Sequence, residues 1–547
     1  MPSRDINKEN PLLPTIRYLR TRATAKTFKV TLVRPPDVMP RFSFAPQRTQ
    51  PLGLAYLAAA LRSAGHRVQM VDGVGENTTR LMSYEYDDNL LLGGLTYDEI
   101  VAHIDRDADI IGISCMFSVD WPKVKRLIRK IHAAFPAIPI IGGGEHFSAL
   151  PEYSLRDCPE VMACVIGEGE ETLLELLEAL GAGKDLNAVE GIAYHQQDKV
   201  LLKYRRGRIA NIDDIAPPAW DLVPMENYFT EGIGHGINRG RTISMLATRG
   251  CPFQCTFCSS AMMWTTRWIA RDPERVLDEI EDYVKRYKID NVDFLDLTAI
   301  IRKDWIISFA KGLLRRNIKI TWQLPVGTRS EAIDREVARY LYESGCRNMG
   351  FSPESGSPVT LDQIKKRVHL GHIKTSMRDC IKAGLNVKFN IIIGFPEETH
   401  KEVWKSLRFL LKMSFYGAHD ASLFPFAPYP GSELFDDLKK EGLIVEPLDD
   451  AFFDSLCYVD FTRMRTFAKH IDKSWIRFYQ LFGFALFYGS NYLFRPWRVV
   501  MTIWHVATGR FESRGETVLH TMIKRAFSKA KKQRDVERHQ GTPADVA

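Results

Sequence analysis

The hydrophobic positions from residue 28 onward alternate between short β-branched runs and longer stretches with helical spacing. The run KVTLVRPP at 29–36 ends at two prolines, and LGLAYLAAALRSAG at 52–65 has apolar residues at helical spacing before a glycine. These patterns predict a strand followed by a helix. Further strands are predicted at 66–73, 108–116, 137–144 and the start of 164–180, with helices between them.

This alternation predicts an α/β fold whose first domain, residues 28–184, is a doubly wound, Rossmann-like parallel sheet. The segment 108–116 is almost continuously apolar, as expected of a strand buried on both faces. Glycines and small polar residues fall where the strands end. Because ligands of such sheets bind beyond the carboxyl ends of the strands, we expect a ligand site there.

A second alternating series begins at residue 241 and continues to 449. Two of its helical stretches are PERVLDEIEDYVKRYK and SEAIDREVARYLYESG, both with apolar residues at helical spacing. The predicted strands lie at 242–248, 291–297, 318–324, 347–353, 387–394 and 421–427. These strand–helix units fit a partial (β/α)6 barrel, in which the active residues lie on the loops after the strands.

The remaining segments lack this rhythm. Residues 1–27 are polar and are predicted to be a flexible extension, while 185–240 is predicted to be a linker with a small hairpin. From 450 to 547 the chain is predicted to be mostly helical and to end in a basic tail. A length of 547 residues is consistent with about three domains.

One C-terminal stretch, 475–505, is rich in aromatic residues and flanked by arginines. Gln480, Ser490 and Asn491 interrupt its apolar character. Two interpretations stay open: the stretch forms helices that pack on the barrel, or it lies in a membrane interface, where Trp, Tyr and Arg are favoured. The second interpretation predicts a lipid or lipid-soluble substrate.

Composition and charge narrow the class of protein. Hydrophobic residues make up 45% of the chain and charged residues 26%, which is ordinary for a folded protein, and the net charge of +7 is too small and scattered for a dedicated nucleic-acid binder. No signal peptide and no long uninterrupted apolar run is recognised. We therefore expect a cytoplasmic protein without nucleic-acid partners, with peripheral membrane contact through the C-terminal region as an open alternative.

Three of the nine cysteines lie within the segment RGCPFQCTFCSS at 249–260. An odd, scattered set is unsuited to a disulfide framework, and the short spacing of Cys251, Cys255 and Cys258 indicates metal binding in a reducing compartment. Three thiolates on a 4Fe–4S cluster leave one iron without a protein ligand. A structural zinc site is the alternative, but it normally requires four ligands in paired spacing.

This cysteine segment, with its proline and with Phe257 just before the third cysteine, resembles the signature of radical S-adenosylmethionine enzymes. The resemblance covers about 241–430. It implies that the open iron binds S-adenosylmethionine and that an electron breaks the bond to the ribose carbon. The resulting 5′-deoxyadenosyl radical abstracts hydrogen from an unactivated carbon. An external electron donor such as flavodoxin or ferredoxin is implied as a partner.

Three segments after later strands resemble the family's S-adenosylmethionine site. The segment FLDLT implies that Asp296 binds the methionyl amino group, although the usual glycine pair is missing. SPESGS implies that Ser352 and Glu354 bind the ribose hydroxyls. NIIIGFPEE implies that Gly394 and Glu397 lie near adenine. Each segment alone is also explained as turn chemistry at a strand end.

The first domain resembles the cobalamin-binding module that precedes the barrel in one subgroup of these enzymes. Small residues at strand ends let a bulky corrin lie against the backbone. The implied cobalamin residues are Ser114, Gly142, Gly143, Gly144, Gly167 and Glu168. An Asp-x-His-x-x-Gly loop, the source of a lower-face histidine in other cobalamin methyltransferases, is absent from the chain. The resemblance thus implies cobalamin without a histidine ligand.

Taken together, these resemblances predict a radical methyltransferase acting on a small molecule or a lipid. A second hypothesis keeps both cofactors without methyl transfer, as in the anaerobic magnesium-protoporphyrin monomethyl ester cyclase of the same subgroup. A third is a cobalamin or redox sensor without turnover, against which the open iron site argues. The side chains that hold the substrate are not identified by the sequence pattern.

Overall fold

The computed structural model describes residues 27–41, 48–197, 199–203, 207–460 and 462–524. The extension predicted for 1–27, apart from its last residue, lies outside the described residues. The same holds for most of the predicted basic tail.

The first domain contains a seven-stranded sheet, which we call the front sheet. From one edge to the other its strands are Lys199–Leu202, Ile192–Gln196, Val161–Val165, Ile140–Gly143, Ile110–Ser114, Lys29–Arg34 and Arg67–Asp72. The last five are mutually parallel, which confirms the predicted doubly wound sheet. The hairpin predicted within 185–240 is present, and it pairs antiparallel with Val161–Val165 to extend this sheet.

Amphipathic helices cover the front sheet because their apolar residues recur every three or four positions. Trp121–Ala134 buries Val124, Leu127, Ile128 and Ile131 in this way. The other helices of the domain are Leu52–Ser63, Tyr97–His103, Glu145–Ala149, Pro151–Asp157 and Gly169–Ala182. A small sheet of Asp37–Pro40, Leu81–Tyr84 and Asp87–Gly93 was not predicted.

The second domain contains six parallel strands in chain order, which we call the barrel sheet. Its strands are Thr242–Met245, Asn291–Phe294, Thr321–Thr328, Cys346–Glu354, Asn386–Ile393 and Asp420–Pro425. The covering helices are Pro273–Tyr287, Lys303–Arg315, Arg335–Glu343, Pro358–Gln363, Leu370–Ala383 and His400–Tyr416. This order confirms the predicted partial barrel.

Burial along the fifth barrel strand shows how the barrel interior is lined. In Asn386–Ile393 every second residue is fully buried, and the residues between them are partly accessible. Since successive strand side chains point to opposite faces, one set packs under the helices and the other faces the barrel interior. Lys388 belongs to the second set.

The segment that connects the two domains contains the helix Met225–Thr230. The C-terminal region is helical, as predicted. The helices after the last barrel strand are Glu433–Lys440, Asp450–Ser455, Lys473–Phe494 and Trp497–Thr508, and residues 514–524 are also helical. Among the described residues, no helix combines the length and the apolar character needed to cross a membrane.

The helix Lys473–Phe494 packs on the edge of the barrel. Ile476, Tyr479 and Phe487 are buried there. Gln480 donates a hydrogen bond to the Leu423 carbonyl (2.7 Å), and Asn491 donates one to the Ala418 carbonyl (2.6 Å). The polar residues that interrupt this apolar stretch therefore attach the helix to the barrel. By contrast, Trp497–Thr508 buries only His505.

Gly483 allows the close approach of this helix to the barrel. A Cβ atom at Gly483 would lie 2.5 Å from Leu423 Cδ2, whereas one at Gly489 would meet nothing within 4 Å. We expect Gly483→Val to lower the free energy of unfolding by about 1–3 kcal/mol through overpacking. Gly489→Ala should instead raise it by roughly 0.5–1 kcal/mol because helix interiors disfavour glycine. Denaturant unfolding of both variants, followed by circular dichroism, tests this contrast, and equal effects would contradict it.

Candidate functional site

The carboxyl ends of both sheets border one cavity of about 2040 Å³. This is the edge at which parallel sheets bind their ligands. Of the residues predicted for the site, those that line the cavity are Ser114, Gly142, Gly143, Gly144, Gly167, Glu168, Phe257 and Cys258. The predicted cobalamin edge and the cysteine loop, which are far apart in sequence, thus meet in the fold.

The cysteine loop follows the short strand Thr248–Arg249, which pairs with Ile269–Ala270. Gly250 opens the loop at φ +86°, and a Cβ atom there would lie 2.3 Å from the Arg267 carbonyl oxygen. Only glycine fits this turn. The backbone N–H of Cys258 donates to the Cys255 carbonyl (3.1 Å), which curls the loop back on itself.

The three thiols of the loop are free and partly accessible. Burial raises the pKa of Cys258 to about 12 and also raises the pKa of Cys255. Metal binding must therefore displace protons from these thiols. Among the described residues, no three histidine, cysteine, aspartate or glutamate side chains converge closely enough to hold a single metal ion. A 4Fe–4S cluster does not require the three thiols to converge on one metal ion, because each cysteine binds a different iron atom.

Buried ion pairs connect the cysteine loop to the front sheet. Arg249, two residues before Cys251, bridges Glu168 (3.1 Å) and Glu170 (2.7 Å). Arg208 approaches Glu168 at 2.6 Å. Burial alone would raise the pKa of Glu168. The ion pairs with Arg208 and Arg249 have the larger, opposite effect, so the pKa of this carboxyl lies below its ordinary value. Glu168 therefore borders the cavity as predicted, while its carboxylate is already bound to arginines.

A second contact joins the same two parts of the chain. Ser259, next to Cys258, donates a hydrogen bond to the carboxylate of Glu145. Glu145 begins the short helix that follows Gly144. The cysteine loop is thus held on both sides by acidic residues from the carboxyl edge of the front sheet.

Asp296, which the sequence analysis predicts to bind the methionyl amino group, already has hydrogen-bond partners within the chain. Its carboxylate accepts hydrogen bonds from the Thr248 hydroxyl (2.6 Å) and from the backbone N–H groups of Ala247 and Thr248. Burial raises the pKa of Asp296 to about 6. Its oxygens therefore secure the end of the first barrel strand, just before the cysteine loop.

The predicted ribose residues lie at the end of the fourth barrel strand. Glu354 has an unusual positive φ of +67° and pairs with Lys366 at 3.1 Å. Ser352 accepts a hydrogen bond from Asn390 (3.1 Å) on the next strand. The side chains of Glu354 and Ser352 are thus positioned by Lys366 and Asn390, at the end of the strand where the ribose is predicted to bind.

Glu397, which is predicted to lie near adenine, follows the fifth barrel strand. It is exposed and pairs with Lys469 (2.5 Å). The adjacent Glu398 is buried instead and accepts a hydrogen bond from the Gly394 N–H (2.6 Å). Burial raises the pKa of Glu398 to about 7. The turn after the fifth strand is therefore held by Glu398, a residue that the sequence analysis missed.

Several buried hydroxyl groups near the barrel strand ends have no hydrogen-bond partner. Among the described residues, these include the side-chain oxygens of Thr256, Ser260, Thr298, Thr328 and Ser357. Buried polar groups normally have partners, so these hydroxyls are free to bind a ligand or an ordered water, although none of the five residues lines the cavity itself. Single serines and threonines carry no sequence pattern, which explains why the sequence analysis did not find them.

The front-sheet edge fits a broad planar ligand. A Cβ atom at Gly143 would meet nothing within 4 Å, so this residue offers open backbone to the cavity. At Gly144, with φ +108°, a Cβ would lie 2.5 Å from the Cys115 carbonyl. Met116 and Phe117 also line the cavity, each 53% exposed. An apolar and glycine-lined surface of this kind suits a corrin ring.

Comparison with known proteins agrees with this arrangement. A family model described as B12 binding domain matches residues 44–177, and one described as Radical SAM superfamily matches residues 245–410. The chain is 32% identical over 415 residues to an uncharacterized methyltransferase of Pyrococcus horikoshii, covering 75% of this chain and 83% of the relative.

Two further proteins are similar at lower identity. The anaerobic magnesium-protoporphyrin IX monomethyl ester cyclase of Rubrivivax gelatinosus is 26% identical over 394 residues, covering 71% of this chain and 66% of the cyclase. The radical S-adenosylmethionine methyltransferase TsrM from Kitasatospora setae, solved with cobalamin and a 4Fe–4S cluster, has a TM-score of 0.59 at 18% identity. That alignment covers 77% of this chain and 79% of TsrM, and it shows a shared fold.

The Arg249 ion pairs generate a testable expectation. Arg249→Leu leaves Glu168 and Glu170 short of a counter-charge in a buried site, which should lower the free energy of unfolding by about 3–5 kcal/mol. We also expect the variant to retain less iron after anaerobic reconstitution, because the cysteine loop loses its attachment. Thermal unfolding and iron analysis are the measurements.

Two further variants control for this experiment. Arg302→Leu removes an exposed arginine whose partner Asp304 is also exposed, and it should leave both readouts nearly unchanged. Adding Glu170→Gln to Arg249→Leu should recover part of the stability. A fully stable, iron-loaded Arg249→Leu protein would show that these ion pairs do not position the loop.

Proposed function

This chain belongs to the cobalamin-binding radical S-adenosylmethionine enzymes, and we propose that it methylates an unactivated carbon of a small-molecule or lipid substrate. The observation that carries the proposal is that Gly143, on the front-sheet edge, and Cys258, in the cysteine loop, line the same cavity. A methyl group and a substrate radical must meet in one space. A common cavity provides that space.

The chain's own residues have distinct tasks in this proposal. Cys251, Cys255 and Cys258 hold the 4Fe–4S cluster, and Arg249 keeps their loop against the front sheet. When bound, the cluster supplies an electron to S-adenosylmethionine, and cobalamin supplies the methyl group. The proposed source of that electron is an external donor such as flavodoxin or ferredoxin.

The S-adenosylmethionine site is proposed at the carboxyl ends of the barrel strands. Phe257 lines the cavity and packs against Phe395, with ring centroids 5.7 Å apart. Ser352, Glu354 and Gly394 lie on strand ends of the same edge. Asp296 supports the site through Thr248, as a positioning residue for the loop rather than as a direct ligand.

The cobalamin site is proposed at the carboxyl edge of the front sheet. Ser114, Gly142, Gly143 and Gly144 line the cavity there, and Gly167 borders them. Gly142 is confined by Phe147, since a Cβ atom would lie 2.5 Å from its ring, whereas Gly143 is open. The backbone at Gly143 is thus the part of this edge that a corrin can approach most closely.

A second candidate function is oxidation without methyl transfer, which the similarity to the Rubrivivax cyclase favours. The product balance separates the two. Methylation forms S-adenosylhomocysteine together with 5′-deoxyadenosine, whereas oxidation of this kind forms 5′-deoxyadenosine without S-adenosylhomocysteine. A sensor without turnover would form neither compound.

The test uses protein reconstituted anaerobically with iron, sulfide and hydroxocobalamin, then incubated with S-adenosylmethionine, a reductant and extract from a strain that lacks the protein. We expect both nucleoside products in comparable amounts and one metabolite heavier by one methylene. Cys258→Ala should abolish all three signals, whereas Cys380→Ala, a buried thiol outside the loop, should retain the cluster. Formation of 5′-deoxyadenosine alone would replace the methylation proposal with the oxidative one.

We also propose that the C-terminal region contacts a membrane surface that contains anionic lipid. Large apolar side chains are exposed along Trp497–Thr508, including Val500 (69%), Ile503 (64%) and Trp504 (51%). A patch of this kind marks an interaction site. The following sequence is strongly basic: six of the residues from 524 to 534 are Lys524, Arg525, Lys529, Lys531, Lys532 and Arg534. Apolar contact beside a basic run suits an anionic bilayer.

Vesicle flotation tests this contact. We expect the full chain to float with vesicles of phosphatidylcholine and phosphatidylglycerol, and less with phosphatidylcholine alone. The double variant Val500→Glu, Trp504→Glu should lose flotation. Val445→Glu, a change at an exposed valine elsewhere, should retain it. Failure of the full chain to float with either vesicle would overturn the proposal.

A further inference from the structure

The large cavity does not end at the cofactor edges. It continues through the barrel interior to the amino ends of the strands, where Lys388, Asp420 and Arg514 line it. Beyond them it reaches the two C-terminal helical segments, Trp497–Thr508 and 514–524. The cavity therefore has one end at the front-sheet edge and the cysteine loop, and a second end at the C-terminal helical segments.

Lys388 is the unusual group in this interior. It lies on the fifth barrel strand among the residues that face the cavity. Its ammonium group makes no hydrogen bond or ion pair with any described residue. Burial lowers the pKa of Lys388, and although Asp420 opposes this effect, the charge of Arg514 adds to it. A cation that faces an interior cavity without a paired anion is unfavourable in the protein alone, and a ligand of opposite charge would relieve it.

The neighbouring acids are already satisfied. Asp420, the register partner of Lys388 on the next strand, accepts hydrogen bonds from the Tyr488 hydroxyl and from the Arg514 backbone N–H (2.9 Å). Asp293, across the barrel, accepts from the Gly236 N–H (2.7 Å) and from Asn291 (2.9 Å). Neither carboxylate reaches the Lys388 ammonium within ion-pair distance.

The other polar groups near Lys388 also leave room for an anion. The Arg514 guanidinium donates to the His235 carbonyl (2.5 Å). Burial lowers the pKa of His235 to about 4, so its ring is neutral near pH 7. Arg239, Arg347 and Arg498 also line the cavity, and each donates a hydrogen bond to a described residue, as Arg514 does. Within the described parts of the chain, Lys388 is the cation at this end whose side chain makes no hydrogen bond.

The far end of the cavity carries large apolar side chains beside polar ones such as Thr502 and Glu516. The apolar residues there are Trp497, Met501, Leu519 and Met522, which are 58%, 48%, 41% and 45% exposed. An interior cation and an apolar opening, joined by one cavity, match the two parts of an amphiphilic molecule.

We propose that Lys388 binds the acidic group of an amphiphilic substrate, such as a lipid carboxylate or phosphate, whose apolar part lies between the two C-terminal helical segments. This inference rests on the proposed function, because it assigns the substrate class for the same cavity. In this orientation the head group lies inside the barrel, and the apolar part points away from the cofactor edge. The carbon that reacts is therefore on the head group, either at the acidic group or between that group and the cofactor edge. Lys388 acts as a binding residue that orients the substrate.

Binding of a fluorescent fatty acid tests the proposal without turnover. The probe is cis-parinaric acid, compared with its methyl ester, on the anaerobically reconstituted full-length protein. We expect the native protein to bind the acid roughly tenfold more tightly than the ester, as one added ion pair would provide. Lys388→Met should abolish this preference while retaining ester binding, and Lys388→Arg should keep most of the preference.

Further arms separate the alternatives. Acetate and inorganic phosphate should displace the probe only weakly, because they lack the apolar part; strong displacement by either would show an anion site without an amphiphile site. Lys388→Gln, an uncharged polar variant, gives a second measurement if Lys388→Met does not fold. Equal affinity for acid and ester, unchanged preference in both uncharged variants, or no binding of either probe would overturn the proposal. Because no methyl transfer is measured, failure of the proposed methylation leaves these outcomes unaffected.

Discussion

Two carboxylates and two arginines in a buried cluster hold the cysteine loop against the front sheet, and the arrangement of the site depends on them. Arg249 bridges Glu168 and Glu170, and Arg208 completes the cluster. Buried charges are tolerated when they are paired, so this contact accepts little displacement. Because Arg249 lies two residues before Cys251, the ion pairs determine where the first thiol stands relative to the front-sheet edge. These ion pairs thereby fix the position of the cysteine loop relative to the glycines of the front-sheet edge.

The direction of the strands divides the cavity into two chemical regions. In both sheets the carboxyl ends of parallel strands meet at one edge, where glycines and free thiols lie. The amino ends of the barrel strands present Lys388 and Asp420 instead, and the C-terminal helices cover them. Cofactors and substrate can therefore approach from opposite ends of the barrel. The helix Lys473–Phe494, fastened by Gln480, keeps the C-terminal segments over the substrate end.

Most of the architecture could be predicted because it depends on local periodicity. The strand Ile110–Ser114 follows from a nearly continuous apolar run, and Asn386–Ile393 from a short segment rich in β-branched and aromatic residues. The site was harder to predict at single residues. Glu397 and Glu398 are adjacent and identical in type, yet one is exposed and pairs with Lys469, whereas the other is buried and holds a turn.

By itself, the sequence determined the two series of alternating elements, the spacing of Cys251, Cys255 and Cys258, and the glycines of the front-sheet edge. These features arise from residues close together in the chain, so spacing and residue type suffice to recognise them. Only the tertiary structure decided that Asp296 binds the backbone before the loop, and that Lys388 faces the barrel interior with no ion-pair partner among the residues that the structure describes. Such roles depend on which hydrogen-bond donors and charged groups lie next to a side chain in the fold. Many of these partners are distant in sequence, so only the folded structure identifies them.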